Sequence, residues 1–205
     1  MSTPESAAPE AATSEIIIRP TRQGPFPECP SEQQFPVITG FITPGSDDPA
    51  CHSLDASVLM DVYDPTEFVG PRRFERVRVI EIDDPFLIEV NWCVCGSFAA
   101  SICGCWDLEF FLDDVDGVGR SSGKLPLTGR VDVTSVPAVP GRNDDFTKRC
   151  YSFQGTIRAN TVTEGAYSLL VVIKLLSGTC HQPGRPLGDY LGFAEIPVLV
   201  FVKGE

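Results

Sequence analysis

The sequence predicts an all-β protein, an antiparallel β-sandwich behind a disordered N-terminal tail. Three observations predict it. Apolar residues recur with a period of two in short runs from Phe35 onward. The runs are separated by turn clusters rich in glycine and proline, 18 of each in 205 residues. No segment keeps a helical apolar stripe for three turns.

Residues 1–34 read as a flexible acidic tail of Ala, Ser, Thr, Pro and Glu. That composition buries too little to offset the entropy of ordering. The tail has one apolar interruption, Ile16, Ile17 and Ile18, stopped by Pro20. Such a β-branched triplet on a polar arm is either a chance occurrence or a segment that adds to a sheet edge, of its own domain or of a neighbour, as a donor strand. Residues 35–205 form the single sandwich domain.

Within it, FPVITGFITPG gives a first strand ending at Pro44-Gly45. SLDASVLMDVYDP gives a second through Val58, Met60 and Val62. PRRFERVRVIEIDDP alternates through Phe74, Val77 and Val79. In PFLIEVNWCVCG, Phe86, Ile88, Val90, Trp92 and Val94 share one parity. In CGCWDLEFFLDD, Trp106, Leu108, Phe110 and Leu112 do the same. Each strand therefore has one apolar and one largely polar face. The link GSFAASI between them has hairpin length. DDVDGVGRSSGKLPLTGR reads as a long polar connection and VDVTSV as a short strand. CYSFQGTIRA and AYSLLVVIKLL form a hairpin about Thr163-Glu164-Gly165. SGTCHQPGRPLGDY is a loop, and GFAEIPVLVFVKGE closes the domain. The total is roughly seven to nine strands, the range of a sandwich.

The formal net charge of -12 opposes binding to phosphate backbones and anionic lipid, so neither nucleic acid nor membrane is an expected partner. No run reaches the ~20 apolar residues that span a bilayer. The opening MSTPESAAPEAATSE lacks a basic n-region and an apolar h-region, which makes the cytoplasm the default compartment. Eight cysteines pull the other way, towards an oxidising or extracellular setting.

Cys93, Cys95, Cys103 and Cys105 form two CxC pairs. On a hairpin centred near Ala99, Cys95 faces Cys103 and Cys93 faces Cys105, all on the side away from the tryptophans. Two disulfides are the preferred reading. A tetrathiolate zinc or iron–sulfur site and free thiols are the alternatives. Cys150 and Cys180 bracket the last hairpin and are expected to pair, as are Cys29 and Cys51. Asp113, Asp114, Asp116 and Gly117 form part of a calcium-loop pattern without its terminal Glu, so a solvated acidic loop is preferred to a Ca²⁺ site. His52 and His181 each adjoin a cysteine, and adjacent residues point apart. No nucleophile elbow or phosphate loop is present.

The spacing of Trp92, Gly96, Ser97, Ala99, Gly104 and Trp106, with a late Gly192, Phe193, Glu195, Pro197 and Val198, resembles a group of uncharacterised bacterial immunoglobulin-like β-sandwich domains. The resemblance spans residues 85–202. It implies an immunoglobulin-like or Greek-key sandwich and no catalytic residue. The paired cysteines depart from that pattern.

The expected function is a non-catalytic structural or interaction protein with no cofactor. It would be a self-associating subunit or decoration of a filament, sheath or surface layer, with itself or another assembly protein as partner. One alternative is a ligand- or carbohydrate-binding module, calcium-assisted. Another is a metal or redox protein built on the cysteine hairpin.

Overall fold

A computed structural model describes residues 38–42, 54–68, 74–96, 99–117, 122–140 and 147–204. The strands are β1 (Ile38–Ile42), β2 (Leu54–Phe68), β3 (Phe74–Arg76), β4 (Val79–Glu81), β5 (Phe86–Gly96), β6 (Cys105–Asp114), β7 (Gly123–Asp132), β8 (Val139–Pro140), β9 (Thr147–Ile157), β10 (Gly165–Gly178) and β11 (Pro183–Val202). One 3-10 turn, Val133–Ser135, is capped by Asp132. The structure is thus all-β, as the alternation predicts.

The strands form two sheets. Sheet A runs β1-β11-β10-β6-β7, with β4 also against β11, and sheet B runs β3-β2-β5-β9-β8. Every pairing is antiparallel except the short parallel contact of β4 with β11. The architecture is sandwich-like and curls towards a flattened barrel. At one side β7 lies against β9, and at the other β1 and β11 approach β2.

One apolar cluster fills the space between the sheets. The parity expected around the two tryptophans is observed. Trp92 and Trp106 are buried on facing strands of opposite sheets. Their rings meet edge to face with centroids 6.2 Å apart, and Tyr151 stacks on Trp92 at 5.2 Å. Aromatic pairs of this kind add roughly 0.5–1.5 kcal/mol each beyond the area they bury.

The β7–β9 seam is close because two glycines permit it. A Cβ on Gly129 would lie 2.5 Å from the Phe153 ring, and one on Gly155 would lie 2.7 Å from a Leu127 methyl. No larger residue at either position leaves this approach undisturbed.

Two expected hairpins are not hairpins. β5 and β6 belong to different sheets, and so do β9 and β10. Both links cross from one sheet to the other. Alternation shows which face of a strand is apolar, but a hairpin and a crossing arch satisfy it equally well. The neighbours of β5 are β2 and β9, and those of β6 are β10 and β7. Two further expectations need correction. The segment read as a polar connection contains β7, whose Leu125, Leu127 and Val131 point inward between exposed Lys124, Pro126, Thr128 and Arg130. The loop before the last strand is largely the first half of β11. In both places proline and glycine conceal the period.

Candidate functional site

The crossing arch between β5 and β6 decides where the cysteines go. Cys93 and Cys105 sit on outer faces of different sheets, so they do not meet. Cys93 bonds instead to Cys150, its direct cross-strand neighbour on β9, with Cα atoms 4.0 Å apart. Cys105 bonds to Cys180, just past the end of β10, with Cα atoms 5.0 Å apart. The expected Cys93–Cys105 and Cys150–Cys180 pairings are therefore replaced. Cys103 is an exposed free thiol, so the expected Cys95–Cys103 bond is not formed, and Cys95 is half-buried on β5. The four sulfurs share no patch, which removes the tetrathiolate arrangement. Cys29, Cys51, His52 and the Ile16–Ile18 segment lie outside the described residues.

The arch itself is held by Arg149, a residue the sequence reading passed over. Its Nη1 donates to the carbonyls of Ile102 at 3.3 Å and Val133 at 3.1 Å, and its Nη2 donates to Ala100 at 3.0 Å. A guanidinium with its rigid fork of donors suits such a triple clamp. Nearby, the Tyr151 hydroxyl donates to the Val133 carbonyl at 3.2 Å. Burial pushes the Tyr151 phenol above its ordinary value of 10.0.

The aspartates of the β6–β7 connection are engaged locally. Ser122 Oγ donates to Asp113 Oδ1 at 2.6 Å, the Asp116 amide donates to Asp114 Oδ1 at 3.0 Å, and the Ala166 amide donates to Asp116 Oδ2 at 3.2 Å. These bonds tie the turn to the start of β10. Among the described residues, no group of three or more His, Cys, Asp and Glu is placed to hold a metal ion. A shallow surface dent with no enclosed space lies between Glu81, Asp84, Arg158 and Thr161. It is not a small-molecule pocket, which encloses ~300 Å³ or more.

The outer faces of the two sheets differ in chemistry. On sheet B the outward residues include polar Glu89, Asn91, Ser152, Gln154 and Thr156, with half-buried Leu59, Tyr63 and Leu87 among them. On sheet A the register builds three rows. The first runs Phe111, Leu170, Glu195 and the backbone position of Ile38. The second runs Glu109, Val172, Phe193 and Gly40. The third runs Asp107, Lys174, Leu191 and Ile42. Phe111, Leu170, Val172, Leu191 and Phe193 are each half-buried on the side of sheet A opposite the core, as Leu169, Val171 and Ile173 of β10 point inward. Scattered exposed apolar residues are ordinary, but a contiguous group on one face marks an interaction surface.

Five of the charges on this face pair with one another within it. Lys124 Nζ donates to Glu109 Oε1 at 2.6 Å, and Lys174 Nζ donates to Glu109 Oε2. Arg130 Nε donates to Asp107 Oδ1 at 3.2 Å. The hydrogen bond from Lys124, then that from Lys174, hold the Glu109 carboxyl below its ordinary value of 4.5. Paired charges cost less to cover than lone ones.

No protein-family model matches the chain, and no curated protein matches it. Among the described residues, no helix is long and apolar enough to cross a membrane.

Proposed function

We propose that the chain is a non-catalytic structural or interaction protein, a self-associating subunit or decoration of a larger assembly such as a filament, sheath or surface layer. The observation that carries this reading is the contiguous apolar group on the outer face of sheet A. The interior is filled by aromatic and aliphatic side chains. The two disulfides tie β5 to β9 and β6 to the end of β10, as suits a module that works where thiols are oxidised. The immunoglobulin-like, Greek-key class belongs to the same proposal. Its support is the two-sheet arrangement with β6 beside the non-consecutive β10.

In this reading the arm bearing Ile16–Ile18 is a donor strand that reaches a neighbouring copy. Head-to-tail links of that kind extend into a filament where the rotation between copies does not close a ring. The test is the mass in solution, by light scattering on a sizing column across a range of concentrations. The full chain should exceed the 22.3 kDa of one copy, and deleting residues 1–19 should lower the mass. A full chain that stays at one copy at every concentration refutes the reading.

A further inference from the structure

We infer that the outer face of sheet A is a closed, two-fold interface with a second copy of this chain. The inference rests on the self-association proposed above and names the surface and the symmetry. It is separate from any link made by the N-terminal arm.

Three features of the face fit a second copy. The first is position. β10 is the central strand of the order β1-β11-β10-β6-β7, and it carries Leu170 and Val172 outward. A two-fold axis along β10 sets these residues on their own equivalents. It also lays β6 of each copy over β11 of the other. Phe111 of one copy then sits beside Phe193 of the second copy, one row apart, and the rings interleave. Aligned packing of two sheets about 10 Å apart accommodates side chains in this way.

The second feature is charge. The same axis carries β7 of one copy over the β1 flank of the other. Lys124 lies at the β7 end of the first row, and Glu195 lies on β11 in that row. Lys124 of each copy therefore falls beside Glu195 of the second copy, and the contact occurs twice. The third feature is extent. Four strands, β11, β10, β6 and β7, about 4.8 Å apart and matched over some ten residues, give a face of about 650 Å², close to the ~800 Å² per partner of a standard interface. An isologous contact needs only a self-complementary patch, and the apolar group with its flanking Lys124 and Glu195 supplies one.

The test uses chains lacking residues 1–19, alongside the full chain, in sedimentation equilibrium. The shortened chain should settle at twice the mass of one copy. Val172→Lys places two ammonium groups on the axis and should weaken that dimer by tenfold or more. Lys124→Glu and Glu195→Lys each create two like-charge contacts and should each weaken it severalfold. Mixing those two variants restores both opposite-charge contacts and should recover a heterodimer of wild-type affinity at low salt. Near-ultraviolet circular dichroism of the buried tryptophans confirms that each variant is folded. Oligomers of the full chain that survive Val172→Lys and show no recovery on mixing overturn this interface and leave self-association standing. A shortened chain at one-copy mass also overturns it. A full chain at one-copy mass sinks both.

Discussion

Replacing Gly129 by alanine adds one methyl group at the tightest point of the β7–β9 seam. The new carbon would stand 2.5, 2.7 and 2.9 Å from three atoms of the Phe153 ring. Carbon atoms rest at roughly 3.5–4.0 Å, so the ring has to retreat by about 1 Å. It has little room, because Phe153 is buried and lies stacked against Phe110 with centroids 5.7 Å apart. Overpacking of this kind costs about 1–3 kcal/mol. Alanine regains about 0.4–1 kcal/mol by restricting the unfolded chain. The steric term wins, for a net loss of about 1–2 kcal/mol. In a domain of this size that lowers Tm by about 2–8 °C. Gly155→Ala meets Leu127 methyl groups at 2.7 and 2.9 Å and the Phe153 ring edge at 3.0 Å. Leucine methyls swing aside more easily than a stacked ring, so Gly155→Ala should cost less. The assay is urea unfolding with the disulfides intact, reading the midpoint at unchanged m. Adding Phe153→Leu to Gly129→Ala should relieve the clash, with a coupling above about 0.5 kcal/mol. If Gly129→Ala is as stable as the wild type, β7 does not lie on β9 there and the curled architecture is wrong.

Three other outcomes follow from the same structure. Removing the Cys93–Cys150 bond by a double alanine substitution frees a separation of 57 residues and should cost up to about 4 kcal/mol in thermal or denaturant unfolding; an unchanged midpoint would count against the bond. Glu109 has a depressed carboxyl value, so its contribution is present above pH 4.5 and is lost as pH falls below it. The stability gap between wild type and Glu109→Gln, under about 1 kcal/mol for such surface pairs, should therefore close on acidification, and a gap that widens would contradict the Lys124 and Lys174 contacts. Tyr151 has a raised phenol value, so the wild type should lose stability as pH climbs above 10.0, whereas Tyr151→Phe escapes that loss after giving up about 1 kcal/mol at neutral pH.

Much of the strand content was legible along the chain. The alternation of Phe86, Ile88, Val90 and Trp92, and of Trp106, Leu108 and Phe110, states which side of each strand faces the core, because a pleated strand has a strict period of two. The interaction surface was not legible in the same way. Phe111, Leu170, Val172 and Phe193 come from three strands, and they became neighbours only through the register of β6, β10 and β11. Viewed singly, each is one apolar residue at an outward position. β7 was hidden because Pro126 and Gly129 mimic turn chemistry, although its Leu125, Leu127 and Val131 keep the period.

The amino-acid order alone determined the all-β class, the inward face of the strands that carry the two tryptophans and the abundance of thiols. Tertiary structure alone decided which strands are neighbours, and with that which cysteines meet. The reason is geometric. Side-chain parity is a local property of an extended backbone, whereas pairing depends on contacts between residues far apart in the chain. Cys93 and Cys150 are 57 positions apart, and only the placement of β9 beside β5 brings their sulfurs together.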